Sequence, residues 1–334
     1  MGDVMTRPVL EGARPQAGSA AFQGFVRQGA TLEMKAFTGV TGDAGGYAVP
    51  QEIDARIDRV LGTLSPIRAV ANVVKVGSAG YRKLVTTGGT PSGWAAETDP
   101  RPQTGTPTFV EIAPPMGELY ANPSASQAML DDSAFDVEEW LAGEIAAQFA
   151  SAEGAAFVGG SGVHQPRGFL QQPVAATADG ARAFGTLQYL ASGAAGDFGD
   201  SPQDRLVDLV QSLRPGYRQG AVFVMNAATL ARVRKFKTSD GAFLWQPSLQ
   251  AEQPATLLGY PVVEAEDMPD VAAGSLSIAF GNFRLGYLIA ERSETAILRD
   301  PYSNKPFVSF YATKRIGGQV LNAEAIKVLR FSAS

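Results

Sequence analysis

The sequence predicts an α+β fold built from one long helix and a later series of short strands. Apolar residues at spacings of three and four between Ser133 and Phe157 predict a helix about 37 Å long. Beyond Leu257, short apolar and β-branched runs separated by turn residues predict strands. Helix and strand signals are segregated along the chain, without a βαβ repeat or a solenoid period, which is typical of the α+β class.

The remaining elements follow from local patterns. Residues 1–48 are rich in glycine and carry only scattered apolar residues, which predicts an extended arm. Pro50 opens a predicted amphipathic helix through Gly62. Later helices are predicted at Gln203–Leu213 and, capped by Asn226, at Ala227–Lys235. The predicted strands are Val70–Val76, Phe109–Ile112, Val222–Met225, Tyr260–Val263, Leu276–Phe280, Tyr287–Ala290, Thr295–Leu298, and a final hairpin of Val308–Arg315 and Val320–Leu329 with its turn at Gly317-Gly318.

The segment from Gly77 to Thr108 contains six Gly, four Pro and seven Thr, and it is longer than an ordinary loop. Leu84, Val85 and Trp94 predict a long two-stranded excursion within it. An isolated ribbon of this length is only marginally stable in water. We therefore expect a neighbouring subunit to hold it.

The long helix carries an acidic surface. Between Pro102 and Pro166 the chain has no Lys or Arg and nine Asp or Glu. The predicted apolar stripe consists of Val137, Trp140, Leu141, Ile145, Phe149, Ala152 and Ala156. Either the acidic side is a solvated face or its single sign of charge has a function.

The composition excludes several kinds of site. Without cysteine, the chain has no disulfide, thiolate nucleophile, iron–sulfur cluster or cysteine-based zinc site. The single histidine, His164, lies in a glycine-containing loop and cannot form a histidine-based metal site alone. Neither a P-loop nor a strand-flanked dinucleotide motif is present. We therefore predict no catalytic, cofactor-binding or metal-binding residue and no enzymatic activity.

Carboxylate-only Mg²⁺ chemistry is the catalytic alternative that the composition leaves open. Four acidic residues cluster near a strand end, and we interpret them as a polar turn closed by Pro269: Glu264, Glu266, Asp267 and Asp270. No uncharged stretch is longer than 14 residues, so no membrane span is predicted, since a span needs about 20. A net charge of −5 argues against a protein that wraps nucleic acid.

Five strings, read in order, resemble the major capsid protein family of tailed bacteriophages, which has the Hong Kong 97 capsid fold. The resemblance spans about residues 20 to 330. Phe280-Gly281-Asn282-Phe283 departs from the family's usual Gly-Asp pair. The other strings are Gly45 to Pro50 (GGYAVP), Gln165 to Leu170 (QPRGFL), Leu244 to Pro247 (LWQP), and Leu258 to Val263 (LGYPVV) followed by Asp267-Met268-Pro269.

The resemblance implies a domain organisation. It assigns 1–48 to an N-terminal arm, 77–110 to an extended loop that is a long β-hairpin, and the helix 133–157 to the spine of a peripheral domain. Three segments make up that peripheral domain, namely 49–76, 111–162 and 293–334, and 163–292 forms the axial domain. Leu84, Trp94 and Arg101 in the extended loop are the expected intersubunit residues.

The resemblance also implies a function. The chain is expected to assemble as hexamers and pentamers into an icosahedral-type shell around double-stranded DNA, in a virion or a gene transfer agent head. Scaffolding protein, maturation protease, portal and head-completion proteins are expected partners, and assembly is expected in the bacterial host cytoplasm. Scaffold is then either a separate protein or a segment already cleaved from this chain. An encapsulin-like protein compartment is the alternative, with a carboxylate-dependent enzyme third.

If the spine helix lies on the inner wall, as the resemblance implies, part of its acidic surface faces packaged DNA. We expect Asp136, Glu138, Glu139 and Glu144 to form this inner surface, and the helix phase decides which of them point inward. The same run also includes Asp131, Asp132 and Glu153.

Overall fold

A computed structural model describes residues 65–77, 80–88, 92–97, 103, 105–106, 108–126, 137–237, 256–292, 296–300 and 302–333. These residues have the predicted α+β fold. The predicted N-terminal arm and the helix that begins at Pro50 lie outside the described residues.

The described residues belong to two compact units. The larger unit draws on residues 60–120, 147–294 and 313–334, and the smaller unit draws on residues 121–146 and 295–312. The longest helix and the longest strand each contribute residues to both units. The helices are α1 Pro66–Val70, α2 Val137–Gly159, α3 Pro202–Ser212, α4 Pro215–Arg218, α5 Ala227–Arg234 and α6 Phe283–Gly286, with 3₁₀ turns at Phe169–Gln171 and Ala323–Ala325.

A seven-stranded mixed sheet lies in the larger unit, in the order β6-β7-β15-β11-β8-β10-β9. Helices α3 and α5 pack on it through Leu206, Leu209, Leu230 and Val233, which share a buried cluster with apolar residues of the sheet. Its strands are β6 Val174–Ala175, β7 Leu187–Ala191, β8 Val222–Met225, β9 Thr256–Leu257, β10 Tyr260–Glu264, β11 Ile278–Gly281 and β15 Ile326–Arg330.

The predicted cap of α5 is confirmed. The side chain of Asn226 accepts a hydrogen bond from the backbone N–H of Thr229 at 2.8 Å, and its amide nitrogen donates to Met268 O at 3.0 Å. The cap therefore satisfies a helix N-terminus and also ties it to the turn after β10.

A second sheet has the order β1-β12-β14-β13, and β4 and β5 also pair with β14. Strand β12 pairs in parallel with β1 and antiparallel with β14. Its strands are β1 Asn72–Val76, β4 Met116–Ala121, β5 Ser124–Ser126, β12 Tyr287–Arg292, β13 Ala296–Asp300 and β14 Phe307–Val320.

The predicted two-stranded excursion is confirmed where the structure describes it. Strands β2 Lys83–Thr87 and β3 Thr108–Ile112 form a separate antiparallel sheet, with Lys83 opposite Ile112 and Thr87 opposite Thr108.

The predicted final hairpin is wrong. Strand β14 runs without a turn through Gly317 and Gly318, which pair with Ala290 and Ile289 of β12. A Cβ at Gly317 would collide with the Met116 sulfur and lie 2.8 Å from Pro115 O, and a Cβ at Gly318 would lie 2.5 Å from the Tyr287 hydroxyl. The two glycines therefore permit close packing inside a strand. The chain then crosses to the other sheet, where β15 replaces the predicted second arm.

The predicted apolar stripe of α2 is right in the middle of the helix and wrong on either side of it. Leu141, Ile145 and Phe149 are buried, as expected, but Trp140 and Ala152 are exposed. The buried side continues at spacings of four through Glu153 to Phe157. Glu153 therefore faces the core and is removed from the acidic surface of the helix.

Two carboxylates and two cations form a buried ion cluster around Glu153. Arg68 of α1 lies 3.2 Å from the Glu153 carboxylate and also pairs with Glu291 of β12. Lys314 of β14 lies 2.5 Å from Glu291 and 3.4 Å from Glu153. All four side chains have exposed fractions of 8% or less. Burial raises the pKa of Glu153, and the neighbouring Lys314 and Arg68 oppose this rise.

Removing one member of this cluster should destabilise the subunit strongly. Lys314→Met retains an apolar stem but leaves two buried carboxylates with one cation fewer. We expect the free energy of unfolding of the unassembled subunit to fall by about 3–5 kcal/mol, measured by urea denaturation.

Arg315→Met is the matched control. Arg315 is the next residue, and it pairs with Glu118 at 3.0 Å where both side chains are about half exposed. We expect Arg315→Met to lower the free energy of unfolding by no more than about 1 kcal/mol. Burial already raises the pKa of Glu153, and Lys314→Met removes a cation that opposes this rise, whereas Arg315→Met does not. Lowering the pH from 7 towards 5 should therefore protonate Glu153 more readily in the Lys314→Met subunit and narrow the difference in free energy of unfolding between the two variants. Equal losses for both variants would show that the cluster does not hold the fold.

Candidate functional site

The β2–β3 ribbon presents apolar side chains to solvent. Leu84 is 68% exposed and Phe109 is 65% exposed. Leu84 pairs with Glu111 and Thr86 pairs with Phe109, so Leu84 and Phe109 lie on the same face of the ribbon. The ion pair between Arg82 and Glu111, at 2.7 Å, is exposed at both ends. The described residues of the larger unit leave this face uncovered.

Of the three predicted intersubunit residues, two are described. Trp94 has an exposed fraction of 105%, so the described residues of its own chain do not cover its indole. A tryptophan buries more apolar surface than almost any other residue when it finds a partner. Leu84 is the second, and Arg101 lies outside the described residues.

The predicted inner-surface residues are described only in part. Glu144 is exposed on α2, as its assignment to the acidic surface requires. Glu138 and Glu139 lie in α2, but their side chains are outside the described part of the chain, and so is Asp136. Glu153, nine residues after Glu144, is buried in the ion cluster.

The acidic residues at the end of β10 and in the turn after it contact different partners. Asp270 accepts a hydrogen bond from the Asn226 side chain at 2.8 Å, and Glu264 lies 3.9 Å from Arg234. Asp267 sits against Gly154 of α2, and burial together with the neighbouring Glu266 raises its pKa. No three His, Cys, Asp or Glu side chains in the described ranges are arranged to hold a metal ion. These contacts support a polar turn.

A second buried charge cluster was not predicted. Asp179 pairs with Lys327 and, at 2.6 Å, with Arg182, and Lys327 also donates to Gln188 at 2.9 Å. Burial lowers the pKa of Lys327, and Asp179 opposes this change. The cluster ties the loop between β6 and β7 to β15. The available signal was a single lysine within an apolar run, Ile326-Lys327-Val328-Leu329, because such a run predicts a strand that is buried on both faces.

The comparisons with known proteins agree with this architecture. The model of the phage capsid family matches residues 45–331. A solved capsid of a native gene transfer agent (GTA) particle, computed with C5 symmetry, is 51% identical, with a TM-score of 0.74 over 80% of this chain and 90% of that chain. The capsid of an empty GTA particle is 45% identical, with a TM-score of 0.74 over 91% and 98%.

More distant structures share the fold. A chain from Gordonia phage Cozz is 12% identical, with a TM-score of 0.55 over 81% of this chain and 87% of that chain. No curated protein matches the sequence. Within the described residues, no helix has the length and apolar character needed to cross a membrane.

The contact between Gly154 and Asp267 can be tested with two glycines of the same helix. A Cβ at position 154 would collide with the Asp267 carboxylate, so Gly154→Ala should destabilise the unassembled subunit by about 1–3 kcal/mol in spite of alanine's higher helix propensity. At Gly143 a Cβ would meet nothing within 4 Å. Gly143→Ala should therefore stabilise it by up to about 1 kcal/mol, by urea denaturation. Stabilisation by both substitutions would contradict the packing described here.

Proposed function

This chain belongs to the phage capsid family and is a major capsid protein of a phage or gene transfer agent shell, and we propose that it builds that shell as hexamers and pentamers around double-stranded DNA. The observation that carries the proposal is the exposed apolar ribbon of β2 and β3 with the uncovered Trp94. A shell subunit must complete its apolar burial on its neighbours, and this ribbon supplies the surface to do so.

The extended loop makes the proposed intersubunit contact. Each Å² of apolar surface that leaves water contributes about 25 cal/mol, so covering Leu84, Trp94 and Phe109 favours association. The Arg82–Glu111 pair lies on the same face, because Glu111 pairs with Leu84, and an exposed ion pair of this kind adds little to affinity. Because the contact is between unlike surfaces of identical chains, it closes into rings when repeated by rotation.

The proposed organisation keeps the predicted domain bounds. The arm 1–48 and the loop 77–110 reach neighbouring subunits, and 163–292 forms the axial domain near the centre of each ring. The segments 49–76, 111–162 and 293–334 form the peripheral domain. The close identity to GTA capsids favours this shell over an encapsulin-like compartment.

The role we propose is structural and not enzymatic. Three of the four carboxylates that left magnesium chemistry open make separate contacts: Asp270 accepts a hydrogen bond from Asn226, Glu264 lies near Arg234, and Asp267 packs against Gly154. Copies of the chain are its principal partners. Scaffolding protein, maturation protease, portal and head-completion proteins are the further partners we propose, with assembly in the bacterial host cytoplasm.

The acidic surface of α2 is proposed to line the inner wall. A basic wall would bind DNA by releasing counterions, whereas a wall of like charge lets DNA slide in and out. Glu144 is exposed and has the sign that this role needs. At a Debye length of about 10 Å, the repulsion reaches only the outermost layer of DNA. The surface should therefore affect adhesion to the wall more than packaging capacity.

The loop contact predicts that assembly can be lost without loss of the subunit fold. We expect the double variant Leu84→Asp, Trp94→Ala to abolish stable shells, seen by electron microscopy and sedimentation, because its side chains are exposed in the free subunit. The free energy of unfolding of the free subunit, measured by urea denaturation, should stay within about 1 kcal/mol of wild type.

Tyr302→Ala is the control for the loop. Tyr302 is a large aromatic residue that is 80% exposed, but it lies in the smaller unit. We expect Tyr302→Ala to reduce shell formation much less than the double loop variant does. The contact is disproved if the loop variant forms normal shells, and it is reassigned to the subunit core if that variant unfolds much more easily.

The proposed inner-wall role of the acidic surface predicts that its charge controls how much nucleic acid the shells retain. Changing Glu138, Glu139 and Glu144 to Lys should give shells that assemble but retain nonspecific nucleic acid in a salt-sensitive way. The measurement is the ratio of absorbance at 260 and 280 nm in purified shells, over about 50–500 mM salt.

A variant with the same change in charge at another place is the control. Asp200, Asp204 and Asp208, at the start of α3 and within it, are all exposed. Changing them to Lys should cause less retention than changing the α2 residues. Equal retention by both variants would reduce the effect to net charge, and no retention by the α2 variant would make its acidic side a solvated face only.

A further inference from the structure

The tip of the β9–β10 hairpin has an unusual residue for its backbone conformation. Leu257 pairs with Tyr260, and the two residues between them have positive φ, +52° at Leu258 and +83° at Gly259. Two positive φ values in a two-residue connection are the pattern of a type I′ turn. The first position of such a turn favours Asn, Asp or Gly, and here it holds leucine.

Leucine is poorly suited to this conformation. Its Cβ is brought close to the following carbonyl oxygen, and bulky residues are rarely found there. The other non-glycine residue with positive φ in the described part of the chain is His164, a residue type that enters this region more readily. The sequence therefore keeps an unfavourable residue at position 258 where a favourable one is available.

The core of the subunit does not account for this choice. The flanking residues anchor the hairpin, because Leu257 is buried in the cluster under α3 and α5 and the Tyr260 ring packs edge-on against Phe280 at 5.0 Å. Leu258 itself is 49% exposed, and a Cβ at Gly259 would meet nothing within 4 Å. The anchored strands thus hold an apolar side chain outward at a fixed position.

We infer that Leu258 is an intersubunit contact residue, whose side chain packs against an apolar surface of a second copy of this chain. The inference rests on the proposed function, in which copies surround one another in a shell. Strand β9 is an edge strand of the seven-stranded sheet, so the hairpin tip lies at the edge of that sheet. Backbone strain that persists at an exposed site is a frequent mark of function.

Two substitutions at this position separate the contact from the strain. Leu258→Ala removes the contact but keeps a Cβ in the unfavourable conformation, and Leu258→Asn removes the contact and suits the turn. Both should raise the concentration needed for half-maximal shell assembly by about tenfold or more. In the unassembled subunit, Leu258→Asn should raise the melting temperature by about 2–4 °C, and Leu258→Ala should not.

The assembly and melting measurements together decide whether Leu258 contacts a second copy or serves its own subunit. Weaker assembly in both variants, with a more stable subunit only for Leu258→Asn, is the expected result. Wild-type assembly by both variants would overturn the inference, and so would a lower melting temperature for Leu258→Asn, since the side chain would then serve its own subunit. If wild-type chain forms no shells under any condition that supplies its partners, the proposed function fails first, and the melting temperatures still report whether Leu258 is strained.

Discussion

The buried cluster of Arg68, Glu153, Glu291 and Lys314 is the constraint on which the larger unit depends. A helix turn, the long helix and two neighbouring strands each contribute one member, so all four elements must meet in one register for the charges to pair. A slip of one residue in β14 would turn Lys314 to the opposite face and leave two buried carboxylates undercompensated. An apolar core of the same volume could stabilise the fold as well, but it would tolerate such slips more readily.

Outside this cluster the subunit leaves its apolar burial incomplete. Leu84, Phe109 and Trp94 are exposed on the β2–β3 ribbon, and Leu258 is exposed at a strained turn. In a protein that worked alone, such residues would weaken solubility or stability without benefit. Under the contacts proposed above they would separate two tasks, because the ionic and apolar core fixes the fold of each copy and the exposed residues would become favourable only when copies associate.

The fold class, the long helix, the cap at Asn226 and the two-stranded ribbon could be predicted because each has a local signal in the sequence. The errors arose where tertiary contacts override that signal. Gly317 and Gly318 resemble a turn, and only the neighbouring Met116, Pro115 and Tyr287 show that they serve close packing. Glu153 resembles a surface residue, and only Arg68, Lys314 and Glu291, distant in the chain, explain its burial. Leu84, Trp94 and Glu144 are exposed, as their predicted roles require, but the surface that each of them would face is not encoded locally.

The burial of Glu153 also limits where the long helix can act electrostatically. The ion cluster contains two positive and two negative groups, so its field nearly cancels beyond the cluster itself, and Glu153 contributes little at a distance. Glu144 is exposed, three residues after the buried Leu141. Any repulsion of DNA must therefore come from the part of the acidic run that precedes Glu153. The C-terminal turns of the same helix serve the fold through Glu153, so the proposed electrostatic role would fall to the turns that precede them.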